Sequence, residues 1–167
     1  MADSKNKTEC YLRRAQPKDV DLLYNWVNDH SVRQSAFDSH EISYDEHVKW
    51  FDKMMRDPDQ VQYILIVDDI PAGQVRLTIS GDEAEIDYSI SNSVRGLGYG
   101  NEIIRLAIES VRVDYPVVKK LIGRIRPSNV ASYYCFVKND FEECFQQLEY
   151  DLTRTSIKEK IEMQKTT

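Results

Sequence analysis

The sequence predicts a single α/β domain built on a mixed sheet of about seven strands with about four helices around it. Three observations carry that expectation. Strand-like and helix-like segments alternate in the order strand, two helices, three strands, helix, strand, helix, two strands. The length of 167 residues suits one domain rather than two. A glycine-rich turn at 95–100 joins a strand directly to a helix, a connection typical of α/β proteins that bind anions.

The elements follow from local patterning. Residues 1–8 are polar and aperiodic and are expected to be a disordered start. Residues 9–15 form a short strand. Pro17 and Asp19 open a helix that carries Leu22, Leu23, Trp26 and Val27 on one face. Residues 28–41 lack periodicity and are expected to be an exposed loop. Ser43 and Glu46 have capping-box spacing and start a second helix with Tyr44, Val48, Phe51 and Met55 along its stripe; Asp57-Pro58 ends it. Residues 61–67 are almost continuously apolar, as in a central strand. Turns at 68–71 and 81–82 separate it from strands at 73–79 and 83–90. In the second of these, Ala84, Ile86, Tyr88 and Ile90 alternate with Glu83, Glu85, Asp87 and Ser89. The helix after the glycine turn presents Ile103, Ile104, Ala107, Ile108 and Val111 and stops at Pro116. A strand at 118–125, a helix from Ser128 to Lys138 and two strands within 141–156 complete the domain. Residues 157–167 read as a charged tail.

Bulk chemistry excludes several classes. A formal net charge of −6 repels phosphate backbones, so a nucleic-acid partner is not expected. Cys10, Cys135 and Cys144 are odd in number and fit neither a disulfide framework nor a metal knuckle; no metal site is expected. No segment resembles a signal peptide or a membrane span, which points to a cytoplasmic chain with reduced thiols. Oligomeric state is not written in the sequence, and a homodimer remains open.

The glycine turn carries the chemistry. Arg95-Gly96-Leu97-Gly98-Tyr99-Gly100 precedes a helix whose first N–H groups lack intrahelical partners. Those groups and the helix dipole attract an anion, and glycine lets a phosphate approach the backbone. The dinucleotide fingerprint fails because Ile103 or Asn101 stands where its third glycine belongs, and the Walker motif fails for want of Gly-Lys-Ser/Thr. By themselves three glycines also suit a tight turn and nothing more.

The segment nevertheless resembles the R/Q-x-x-G-x-G/A motif of the GNAT acetyltransferases. A second motif of that family, N-x-x-S/A-x-x-x-Y and then Gly-Phe, is matched one helix and one strand later by Asn129, Ser132, Phe136, Asp140 and Phe141. The resemblance spans residues 9–156. It implies a GNAT fold with a splayed central sheet and acetyl-CoA as co-substrate. The cofactor-binding residues would be Ile90, Arg95, Gly96, Leu97, Gly98, Tyr99 and Gly100, with Asn129, Ser132 and Phe136. Two positions depart from the pattern. Phe136 replaces the tyrosine that often protonates the departing thiolate, and Asp140 replaces a glycine.

Acetyl transfer needs a neutral amine, so a base must remove a proton. By the same resemblance the base comes from the strand before the glycine turn, with Glu85 first and Asp87 second. As acidic residues on a polar strand face, both also suit plain solvation. Tyr133, one turn before Phe136, is the alternative acid. In the first half, the segments around Trp26, Arg33, Trp50, Arg76 and Glu85 are similar to GNAT enzymes that acetylate amino sugars carried on nucleotides. Arg33, His47, Trp50 and Arg76 are therefore the expected acceptor residues, cations for phosphate and a flat ring for a base. Trp50 and His47 equally suit helix packing, and Arg33 a solvated loop. The expected activity is N-acetyl transfer to a small-molecule amine, preferably an amino sugar on a nucleotide. A protein terminus, a polyamine, or a non-catalytic acetyl-CoA-binding module are the alternatives.

Overall fold

The structure, a computed structural model, describes residues 8–144. The chain runs β1 (Cys10–Arg14), a 3-10 turn (Pro17–Asp19), α1 (Val20–Val27), α2 (His30–Ser35), α3 (Tyr44–Arg56), β2 (Gln60–Val67), β3 (Ile70–Ser80), β4 (Glu83–Ile90), a second 3-10 turn (Asn92–Val94), α4 (Tyr99–Asp114), β5 (Lys120–Gly123) and α5 (Val130–Val137). The strands lie in the order β1-β2-β3-β4-β5. The pairs are antiparallel except for β4 and β5, which are parallel and linked through α4. This is an α/β fold with a mixed sheet, as expected.

Three expectations need correction. The segment 28–41 is not all loop: Asp29 accepts hydrogen bonds from the Ser31 and Val32 amides and nucleates α2. Only six residues are helical, too few for an apolar period to show. The turn before β3 is two residues, Asp68-Asp69, with φ of 46° and 65°, the mirror-image geometry that matches strand twist, so β3 starts at Ile70. Helix α5 begins at Val130 with Asn129 as its cap, not at Ser128. The described sheet has five strands. Of the two strands expected within 141–156, residues 141–144 have no regular structure and the rest lie outside the described residues, as do 1–7 and the tail.

The near-continuous apolar run of β2 is explained by helices on both faces. Val61, Tyr63 and Leu65 join Val75, Leu77, Ile86, Ile103, Ile104, Ala107 and Val111 in the core beneath α4. Ile64 and Ile66 point the other way and pack on Leu23, Phe51 and Met54 of α1 and α3. That second core is fixed at its corner by Asp19, which is 4% exposed and receives both Arg13 guanidinium nitrogens at 2.7 and 2.8 Å. On β3 and β4 the same face is polar, with Gln74, Arg76 and Thr78 beside Glu83, Glu85, Asp87 and Ser89.

Pairing between β4 and β5 stops at Ile86–Gly123, although β4 continues to Ile90. Gly123 sits where α5 presses hardest: a Cβ there would lie 2.6 Å from the ring of Phe136, which is itself buried. The ring meets those of Tyr88 and Phe141 edge-on. Gly123→Ala is therefore expected to cost about 1–3 kcal/mol through overpacking. Urea unfolding should show a lower midpoint at an unchanged slope; an unchanged midpoint would mean that α5 is not seated against β5 as described.

Candidate active site

Helix α4 begins at Gly98, whose φ of 92° is a left-handed conformation, and no side chain caps that end. Gly96 is also left-handed, with φ of 79°. These two glycines turn the chain so that the amides of Tyr99 and Gly100 open the helix uncovered, the positive end of a 16-residue dipole. Gly100 is small for a different reason: a Cβ would meet Cys135 Sγ at 2.9 Å. Arg95 is committed within the protein. Its Nε donates to the Ile90 carbonyl at 3.0 Å, and its Nη2 pairs with Asp29 at 2.7 Å. It thus ties the loop to the end of β4 and to the start of α2. Leu97 stands out into solvent.

On α5, Asn129 accepts from the Ser132 amide as the helix cap. Asn139 holds α5 to α4 through the Asn101 carbonyl and side chain. Asp140 adopts φ of 63°, the conformation that explains why a glycine would also suit this place. Phe136 is buried against Gly123. Tyr133 is 40% exposed, with its ring edge-on to Tyr134.

Both base candidates point to the polar face. Glu85 lies opposite Ile122 and has Arg124 at 3.5 Å. Asp87 lies one step beyond the last β5 pair and accepts from Arg76 at 3.3 Å. Arg76 in turn lies over the Trp50 ring at 5.2 Å, so two expected acceptor residues, one from β3 and one from α3, do come together beside a carboxylate.

The other two are placed elsewhere. His47 is 2% exposed, bonds the Val20 carbonyl through Nε2, and sits among Tyr24, Trp50 and Phe51. It is an internal strut between α3 and α1 and does not reach the polar face. The Arg33 guanidinium donates to the carbonyls of Val27, Asp38 and His40 and so holds its own loop together.

Two residues of the site escaped the sequence reading. Gly123 was an isolated glycine in a strand segment, the mark of a close backbone approach. Tyr88 was counted with the apolar alternation of β4. Its hydroxyl in fact lies 3.6 Å from where a Cβ on Gly100 would be, at the start of α4, and burial pushes the phenol well above its ordinary range. Among the described residues no cluster of His, Cys, Asp or Glu could hold a metal, and no helix is long and apolar enough to cross a membrane.

Residues 10–142 match the acetyltransferase (GNAT) domain family. Solved structures share the fold. An aminoglycoside acetyltransferase in complex with coenzyme A is 20% identical, with a TM-score of 0.71 over 80% of this chain and 84% of that one. The spermidine N-acetyltransferase of Vibrio cholerae, in complex with coenzyme A and spermine, is 17% identical, with a TM-score of 0.70 over 77% and 78%. A domain from Methanocaldococcus jannaschii is 19% identical, with a TM-score of 0.74 over 86% and 94%. No curated protein sequence matches.

The placement of His47 has a consequence for stability. Burial holds its imidazole below the ordinary 6.5, so the folded state binds this proton less readily than the unfolded chain. The stabilisation is complete above the unfolded value and is lost as pH falls from there through the depressed one. Wild-type stability should thus decline more steeply than that of His47→Gln as pH is lowered from about 7.5 to about 5. Parallel declines in denaturant titrations would show that His47 is not buried neutral.

Proposed function

The chain belongs to the GNAT acetyltransferases and is an acetyl-CoA-dependent N-acetyltransferase, and we propose that its acceptor is a small amine free of phosphate, an amino sugar or a polyamine. The observation that carries this reading is the parting of β4 and β5 beside the open end of α4. Beyond Ile86 the β5-side edge of β4 has no described partner strand. The pantetheine arm of coenzyme A is extended and carries two amides, so it can take the place of a strand there. Its pyrophosphate then falls on the amides from Leu97 to Gly100. Arg95 shapes this loop, with Asp29 already balancing its charge.

A nucleotide-borne acceptor would call for a cation to meet its phosphates. Arg33 is bound to carbonyls, His47 is buried, and Arg76 is paired with Asp87. An amine acceptor instead needs carboxylates and a surface for its ring or methylenes, which Glu85, Asp87 and Trp50 supply. The net charge of −6 favours a cationic approach. That aminoglycoside and spermidine enzymes share the fold supports the same class.

In this reading Glu85 is the base, acting directly or through one water. Its contact with Arg124 is longer than a hydrogen bond, whereas Asp87 is held by Arg76. The neutral amine attacks the thioester carbonyl, the C–N bond forms, the C–S bond breaks, and the electron pair leaves on sulfur. That the polar-face carboxylates and the free edge of β4 belong to one strand supports a base drawn from it.

Two measurements test this. Thiol release from acetyl-CoA should occur with aminoglycosides or polyamines and be weaker with amino sugars on a nucleotide; the opposite ranking would overturn the acceptor class. Glu85→Gln should lower kcat by about 10²-fold or more with acetyl-CoA affinity unchanged, and Asp87→Asn should do less. Full turnover in Glu85→Gln would remove Glu85 from the role.

A further inference from the structure

Helix α2 is six residues long, and none of its side chains is buried. A helix of that length has little stability of its own, and burial of an apolar face usually supplies the rest. Here anchors at its two ends take that place. At the start, Asp29 Oδ1 accepts from the Ser31 and Val32 amides and pairs with Arg95 Nη2 at 2.7 Å. At the end, Arg126 donates to the Gln34 carbonyl at 3.3 Å. The first anchor belongs to the glycine turn that follows β4, the second to the segment that follows β5. Helix α2 thus bridges the two chain segments that leave the opening between those strands.

It does so on the side of the carboxylates. Helix α1, which runs straight into α2, packs on Ile64 and Ile66, the sheet face that also carries Glu85 and Asp87. Arg124, two residues before Arg126, pairs with Glu85 itself. We propose that Asp29 is a positioning residue that makes the placement of α2 on the acceptor side depend on the glycine turn, and so on bound coenzyme A. This rests on the coenzyme's pyrophosphate lying on the amides from Leu97 to Gly100.

Arg95 joins the two parts. Its backbone opens the turn, while its Nε donates to the carbonyl of Ile90, the last residue of β4, at 3.0 Å. A phosphate on the amides of the turn removes freedom from that backbone, and a fixed Arg95 holds Asp29 in one place. One carboxylate oxygen serves two α2 amides and a guanidinium nitrogen, so a shift of Arg95 is felt directly at the helix cap. The side chains of the pair are 30% and 23% exposed, and salt screens such a pair less than an open surface one. Opening of the turn and opening of α2 are then linked events, and a ligand that closes the first closes the second. An acceptor meets a formed wall only when the coenzyme is in place. Asp29 touches neither ligand in this account and acts through Arg95 and α2.

Hydrogen exchange read by mass spectrometry, with and without coenzyme A, would compare wild type, Asp29→Ser and Arg126→Ala. Serine caps helices about as well as aspartate, so Asp29→Ser keeps the cap and removes the carboxylate that holds Arg95. In the wild type, coenzyme A should slow exchange about fivefold or more over residues 97–102 and also over residues 31–36. In Asp29→Ser it should protect 97–102 alone. Arg126→Ala should exchange faster at 31–36 in both states and still respond to coenzyme A, because its lost anchor is not the one attached to the turn. Protection of 31–36 that persists in Asp29→Ser overturns the proposal, as does its absence in the wild type when 97–102 is protected. Loss of the response in Arg126→Ala would overturn it too, since any loosening of α2 would then have the same effect. If 97–102 also goes unprotected in Asp29→Ser, Asp29 belongs to the coenzyme site itself and not between the two sites. A wild type that shows no protection in either segment would overturn the coenzyme site, and the coupling with it.

Discussion

Everything specific to this molecule depends on β4 and β5 separating after Ile86–Gly123. Parallel strands normally remain paired for as long as both run. Here α5 seats Phe136 directly on Gly123, and β5 ends there. The strand β4 continues alone, held on its other edge by an unbroken antiparallel register with β3 that reaches Gly73–Ile90. One edge is therefore rigid and the other free, and the free edge opens beside the uncapped start of α4. A strand that was loose on both sides would not hold this geometry, because unpaired backbone groups cost free energy unless something meets them.

The charges on the sheet face show a second constraint. Glu83, Glu85 and Asp87 project from one strand in one direction, and like charges at alternate positions repel. Each has a basic neighbour from an adjoining segment: Lys120 at 2.6 Å, Arg124 at 3.5 Å and Arg76 at 3.3 Å. These pairs are half-exposed and contribute little stability individually. Their effect is to offset that repulsion along the sheet face. Asp29 plays a comparable double part, capping α2 with the same oxygen that receives Arg95.

Much of the fold was legible because periodicity is a local property. The clean alternation of β4, the capping box of α3 and the glycine turn each declare themselves within a few residues. The mixed sheet and the glycine-led start of α4 followed from them. Helix α2 was hidden because one turn and a half cannot display an apolar stripe, and only Asp29 hinted at it. Two of the expected acceptor residues are engaged within the protein, for a physical reason. Arg33 and His47 have side chains that suit a ligand or a neighbouring carbonyl equally, and only the fold decides that Val20 or Val27 lies within reach. Tyr88 was missed for the converse reason. A tyrosine in an apolar series looks like core, and only the packing of α4 and α5 shows where its hydroxyl lies.

The contact between Gly123 and Phe136 makes those two positions a single choice. A ring at 136 that fills the volume beside β5 penalises any side chain at 123, and a side chain at 123 would favour a smaller residue at 136. Chains descended from a common ancestor with this one should therefore change the two together or not at all. The record of such paired changes would trace the width of the opening between β4 and β5 through the lineage, from sequences alone.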